Sequence, residues 1–188
     1  MLDSNLYVAL IHYPVMNKKG LSIGSALTTI DLHDIARASM TFGVKGFYVV
    51  TPYEDQATLA QRIIDHWTTG VGSTINPDRK KALELIRIAK TFDQVVKQIK
   101  CDRGEPVVSI ATSASASSDT PIGTKAVKHK LESSASHVIV FGTAWGLSDE
   151  IMKQCDYILA PVRGPGDYNH LSVRSAASIY LDRIMNGR

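Results

Sequence analysis

Two cysteines in 188 residues, Cys101 and Cys155, are too few and too far apart for a disulfide framework. With no CxxC spacing and no His pair beside them, they indicate no zinc site either, and both are expected to be buried small hydrophobes. Charge of one sign does not accumulate: 21 Lys and Arg against 18 Asp and Glu leave a formal charge of +3, which permits an RNA partner without demanding one. No apolar run approaches the roughly 18 residues that a membrane span needs. The opening MLDSNLYVALIHYP lacks a basic segment ahead of its short apolar stretch, so no secretion signal and no membrane partner are expected, and a cytoplasmic location is. Also missing are a GxGxxG after the first apolar segment and any GxxxxGK[ST], which excludes an N-terminal dinucleotide fingerprint and a phosphate loop.

What is present is alternation. Leu6 to Tyr13, apolar and closed by Pro14, predicts a buried strand. Asp31 is placed to cap a helix running to Thr41, with Ile35, Ala38 and Phe42 on one face and Gly43 at its end. Gly46 to Thr51 reads as a second strand and Asp55 to Trp67 as a helix. Thr68 to Arg79 (TTGVGSTINPDR) reads as a long polar connection and a candidate functional loop. Helices over Lys80 to Lys90 and Phe92 to Lys100 lead to a strand over Pro106 to Thr112, broken by the small residues Ser113 to Ser118. A helix over Lys125 to Glu132, a strand His137 to Phe141, a turn Gly142 to Gly146, a helix Ser148 to Gln154 and a strand Tyr157 to Pro161 follow. The loop Arg163 to His170 then enters an amphipathic helix, Leu171 to Met185. The pattern predicts one α/β domain over residues 1–188, with a mostly parallel sheet, helices on both faces, and ligands at the C-terminal strand ends.

Three small-residue loops follow the last three strands: Thr112 to Ser118, Gly142 to Gly146 and Pro161 to Gly166. Small side chains admit a ligand to main-chain N–H and C=O groups, which suits an adenine and a ribose. Each loop alone is also what a plain turn looks like.

The segments HVIVFGTAWGLSDEIMKQCDYILAPV (His137 to Val162) and YNHLSVRSAASIYLDRI (Tyr168 to Ile184) resemble the second and third signature motifs of the SPOUT methyltransferases. DLHDIARASMTFGV (Asp31 to Val44), with Arg37 six residues before Gly43, is similar to the first. The resemblance implies a C-terminal trefoil knot, a homodimer formed through it, S-adenosylmethionine (SAM) as cofactor, and tRNA or rRNA as substrate. It implies cofactor contacts from Thr112, Ser113, Gly142, Thr143, Gly146, Leu159, Pro161, Val162, Gly164, Tyr168, Leu171 and Ser172, and a reactive side of Arg37, Asn169 and His170. Leu171, Ile179, Tyr180 and Ile184 of the last helix are expected at the dimer interface or, alternatively, in the core of one chain. No metal is implied.

The chain departs from the 2′-O-methylating members at two places: Asp31 stands where they carry Asn, and His170 where the third motif has Asn. A base nitrogen is therefore as open an acceptor as a ribose hydroxyl. Arg37 is either a phosphate ligand or proton-transfer aid, or a surface arginine in a salt bridge; His170 is either a proton acceptor or a helix-start residue. Trp145 either stacks on a ligand or packs beneath its loop. Lys18, Lys19, Arg79, Lys80, Lys81, Lys125, Lys128 and Lys130 are candidates to follow an RNA backbone, although such residues usually face water. Two rivals remain: a SAM or nucleotide binder of the same fold without turnover, and an unrelated α/β enzyme with a ligand site near the N-terminus.

Overall fold

The computed structural model describes residues 5–114 and 120–187. Six strands form one parallel sheet: β1 (Leu6–Ile11), β4 (Gly46–Val50), β5 (Ile86–Ala89), β6 (Val107–Thr112), β7 (Ser136–Gly142) and β8 (Tyr157–Leu159), in the order β5-β4-β1-β7-β6-β8. A two-residue-per-strand hairpin, β2 (Val15–Met16) and β3 (Ser22–Ile23), follows β1.

Side-chain alternation along β1 divides the core in two. Leu6, Val8 and Leu10 pack with α1 (Thr29–Thr41), α2 (Glu54–Thr68), α4 (Pro77–Leu83), α6 (Thr124–Lys130) and α8 (Val173–Asn186). Tyr7, Ala9 and Ile11 face the opposite way, against α5 (Phe92–Arg103) and α7 (Asp149–Gln154). Helices thus cover both faces, and β1 is apolar throughout because both its faces are buried.

Several expectations need correction. Thr28, not Asp31, is the N-cap of α1: its hydroxyl accepts from Asp31 N at 3.2 Å and donates to Asp31 Oδ2 at 2.6 Å. The connection Thr68 to Arg79 contains α3 (Gly72–Ile75) and the start of α4. The expected helix over Lys80 to Lys90 stops at Leu83, and Ile86–Ala89 is strand, because β4 offers parallel partners and Ile86 and Ile88 reach the same core cluster. Cys101 lies exposed on α5 rather than buried. Tyr180 and Ile184 are buried inside this one chain, so they leave Leu171 and Ile179 as the only parts of the expected interface outside the core. The small-residue stretch beyond Ala114 lies outside the described residues.

Candidate functional site

From β1 the chain moves outward through β4 to β5, whereas β7 and β6 lie on the other side of β1. The C-terminal ends of β1 and β7 therefore border a topological switch point, where α/β sheets open a crevice. His12 follows β1 there and Thr143 follows β7. Thr143 Oγ1 donates to Ile11 O at 3.0 Å and is hydrogen-bonded to Ser25 Oγ, which lies 3.0 Å from His12 Nδ1. Ser25 Oγ also donates to His12 O at 3.4 Å, so one hydroxyl serves the main chain and the ring of the same histidine, at Nδ1 and not at Nε2. That Nε2 is buried with no hydrogen-bond partner, and burial holds the ring below the ordinary histidine pKa against the opposing charge of Asp31. Sequence reasoning missed this chain; His12 sits in an apolar run and reads as strand.

The loop after β7 closes tightly. A Cβ on Gly142 would lie 2.5 Å from Leu147 N, so only glycine lets residues 146–147 fold back onto it. Gly146 N donates to Thr143 O at 2.9 Å, and Gly146 itself takes φ +110°. Met16 N donates to Gly146 O at 2.9 Å and Trp145 N to Met16 O at 3.1 Å, so the hairpin after β1 braces this loop. Trp145 is 59% exposed and does not pack beneath it.

Two bonds join the other loops. Asn169 Nδ2 donates to Ala114 O at 2.6 Å, tying the segment before α8 to the end of β6. Tyr180 donates its hydroxyl proton to Ala160 O at 2.9 Å and accepts from Val162 N at 3.2 Å, holding the segment after β8 from the α8 side. Leu159 is fully buried and Pro161 half-buried, while nothing lies near the Cα of Gly164 on its Cβ side. The Thr112 hydroxyl donates to Val140 O at 2.9 Å, its main chain stands in the parallel ladder opposite Leu159 of β8, and Ser113 beside it is half-buried. Tyr168 is 81% exposed with its ring 5.4 Å from that of the exposed His170, and Leu171 and Ser172 follow at the surface, where Ser172 caps α8.

Arg37 lies where α1 meets the start of α8. It lines a groove of about 540 Å³ with Asp34, Thr41, Arg174, Ser175 and Ser178. Among the described residues no hydrogen bond joins it to Asn169 or His170, which themselves lead into that helix. Gly20–Ser22–Gly24 has the GxSxG spacing of a hydrolase elbow, but Ser22 is exposed in the β2–β3 hairpin and not on a strand-to-helix turn, so no nucleophile arises there.

A family model described as SAM-dependent RNA methyltransferase matches residues 5–186. A protein of Oleidesulfovibrio alaskensis named tRNA (guanine-N(1)-)-methyltransferase is 45% identical over 181 residues, covering 96% of this chain and 42% of that protein. The chain therefore spans about two-fifths of that relative. An uncharacterised protein of Aquifex aeolicus is 37% identical over 99% of this chain and 91% of its own length. Among solved structures, the TrmH/SpoU tRNA modifying enzyme of Aquifex aeolicus shares the fold at a TM-score of 0.60 with 18% identity, covering 99% of this chain and 76% of that one.

Proposed function

Because the chain belongs to the family of SAM-dependent RNA methyltransferases, we propose that it transfers a methyl group from SAM to a nucleotide of tRNA or rRNA. The observation that carries this reading is that the chain just past the C-terminal ends of β6 and β8 is tied to the segment before α8 and to α8 itself, by Asn169 to Ala114 O and by Tyr180 to Ala160 O, beside the tight loop after β7. These residues suit the cofactor: Thr112, Gly142 and Leu159 end their strands, and Gly146 and Gly164 have open space on their Cβ side.

SAM, when bound, supplies an electrophilic methyl group on a sulfonium. Thr112, Ser113, Gly142, Thr143, Gly146, Leu159, Pro161, Val162, Gly164, Tyr168, Leu171 and Ser172 hold it in this reading. Arg37 and Asn169 position the acceptor and His170 takes up its proton as the bond from carbon to the acceptor atom forms and the bond to sulfur breaks. A guanine N1 of tRNA is the first acceptor to try, since the O. alaskensis relative carries that activity in its name.

The trefoil knot belongs to the same reading. β8 runs between β6 and Ile122, whose N–H donates to Ile158 O at 2.9 Å. Residues 1–188 act as one cytoplasmic domain, and two copies pair near the exposed Leu171. Among the described residues, no helix is long and apolar enough to cross a membrane.

Calorimetric titration with SAM, with NAD and ATP as controls, followed by methyl transfer to tRNA and rRNA, tests the proposal. Saturable binding of SAM alone, with transfer, is expected. Binding without transfer to any RNA would favour the non-enzymatic rival, to which the commitment of Asp31 to Thr28 and Arg174 lends some support; no binding would overturn both.

A further inference from the structure

The connection Thr68 to Arg79, which the methyl transfer does not use, builds a second feature. Gly70 and Gly72 let the chain turn back onto the end of α2: a Cβ at Gly72 would lie 2.7 Å from Trp67 Cε3 and 2.9 Å from His66 O. Asn76 then caps α4 by accepting from Arg79 N at 2.9 Å, which places Arg79 in the first turn with its guanidinium 4.3 Å over the Trp67 ring. His33 on α1 meets the same ring edge-on at 5.7 Å and His66 at 5.0 Å.

The polar atoms of this cluster are not satisfied. Arg79 Nε and His33 Nδ1 are buried without a hydrogen-bond partner. Burial, then the nearby charges of Arg79 and Arg37, holds His33 below its ordinary pKa, with Asp34 opposing. Lys80, Lys81 and Arg174 each pair with a carboxylate, and Asp34 is taken by Arg174. Among the described residues neither Arg37 nor Arg79 forms an ion pair. A guanidinium stacked on an indole is fixed in its plane, and since Nε is buried it is the Nη groups of the half-buried Arg79 that form the fork for a tetrahedral oxyanion.

We propose that Arg79, held on Trp67 and backed by Arg37 and His33, binds a backbone phosphate of the RNA near the acceptor nucleotide. This rests on the RNA reading above and assigns a substrate contact to residues outside the cofactor loops.

The test is anisotropy of a labelled, unmodified tRNA against the full chain across a salt series, with SAM affinity measured alongside. Arg79→Met should weaken RNA binding about tenfold and lower the salt slope by about 0.7 to 0.9, the value of one phosphate contact, while SAM binding and the thermal midpoint stay put. Arg79→Lys should keep the slope but not the full affinity. In a Trp145→Phe background, Trp67 is the one remaining tryptophan of the two, and its emission should change as RNA binds. Wild-type affinity and slope in Arg79→Met, or a silent Trp67 with RNA bound, overturns this site alone. A wild-type chain that binds SAM but no RNA overturns the RNA reading and the site together.

Discussion

Arg174 Nη1 on α8 donates to Asp31 Oδ1 on α1 at 3.0 Å, and its Nε lies 3.4 Å from Asp34 Oδ2. One arginine thus pins the start of α8 to the first turn of α1, joining the first and third motif segments across 143 residues. Asp31 is buried and Arg174 about one-third exposed, so the pair is screened on one side only. Asp31→Asn keeps the shape but removes the charge, and should cost about 1–2 kcal/mol after discounting for solvent at Arg174. Urea unfolding reads this directly; an unmoved midpoint would mean that the pair does not hold α8.

Tyr180 carries a second such joint. Tyr180→Phe strands Ala160 O and Val162 N, which should lower stability by about 1–2 kcal/mol and weaken SAM binding several-fold by loosening a loop of the pocket. Calorimetry beside urea melts separates the effects. A destabilised variant with undiminished SAM affinity would place the cofactor away from residues 160–162.

Histidine burial sets the acid limit of the fold. His12 and His137 are both buried, and burial depresses both pKa values. Below the ordinary histidine pKa of about 6.5 the unfolded chain takes up protons that the folded chain refuses, so stability is full above that pH and falls as pH drops toward the depressed values, by at most about 1.4 kcal/mol per pH unit for each ring. Thermal midpoints measured from neutral pH downward should decline; His137→Gln should flatten the decline, and an unchanged pH profile would refute the assignment.

The thiols should differ sharply. Burial pushes Cys155 up to about 12, whereas Cys101 is exposed on α5. Mildly alkaline alkylation of the native protein followed by mass spectrometry should find Cys101 modified first and Cys155 only on unfolding. Equal labelling of both would contradict the packing of α7 against the sheet.

Much of the architecture is legible locally. Apolar runs closed by proline or glycine mark β1, β4, β7 and β8, one broken by small residues marks β6, and helical spacing marks α1, α2, α5 and α8. Where reading failed, a distant partner decided. Ile86 to Ala89 has no pattern that separates strand from helix until β4 supplies a ladder. Asp31 looks like a cap in sequence, but Thr28 holds that place, and Asp31 serves an arginine 143 residues away. Arg79 reads as one of several surface cations, and nothing local foretells that Trp67 lies beneath it. The hydrogen-bond chain from Thr143 through Ser25 to His12 likewise joins three separate segments.

By itself, then, the sequence determined the α/β class, the burial of the central strands and the three motif segments that resemble a methyltransferase, since periodicity, turn residues and short motifs act over a few residues. The tertiary structure alone decided which polar groups meet: Arg174 with Asp31, Tyr180 with Ala160, Asn169 with Ala114, Arg79 with Trp67. Those pairings depend on strand order and helix placement, which arise only when both faces of the sheet are covered at once.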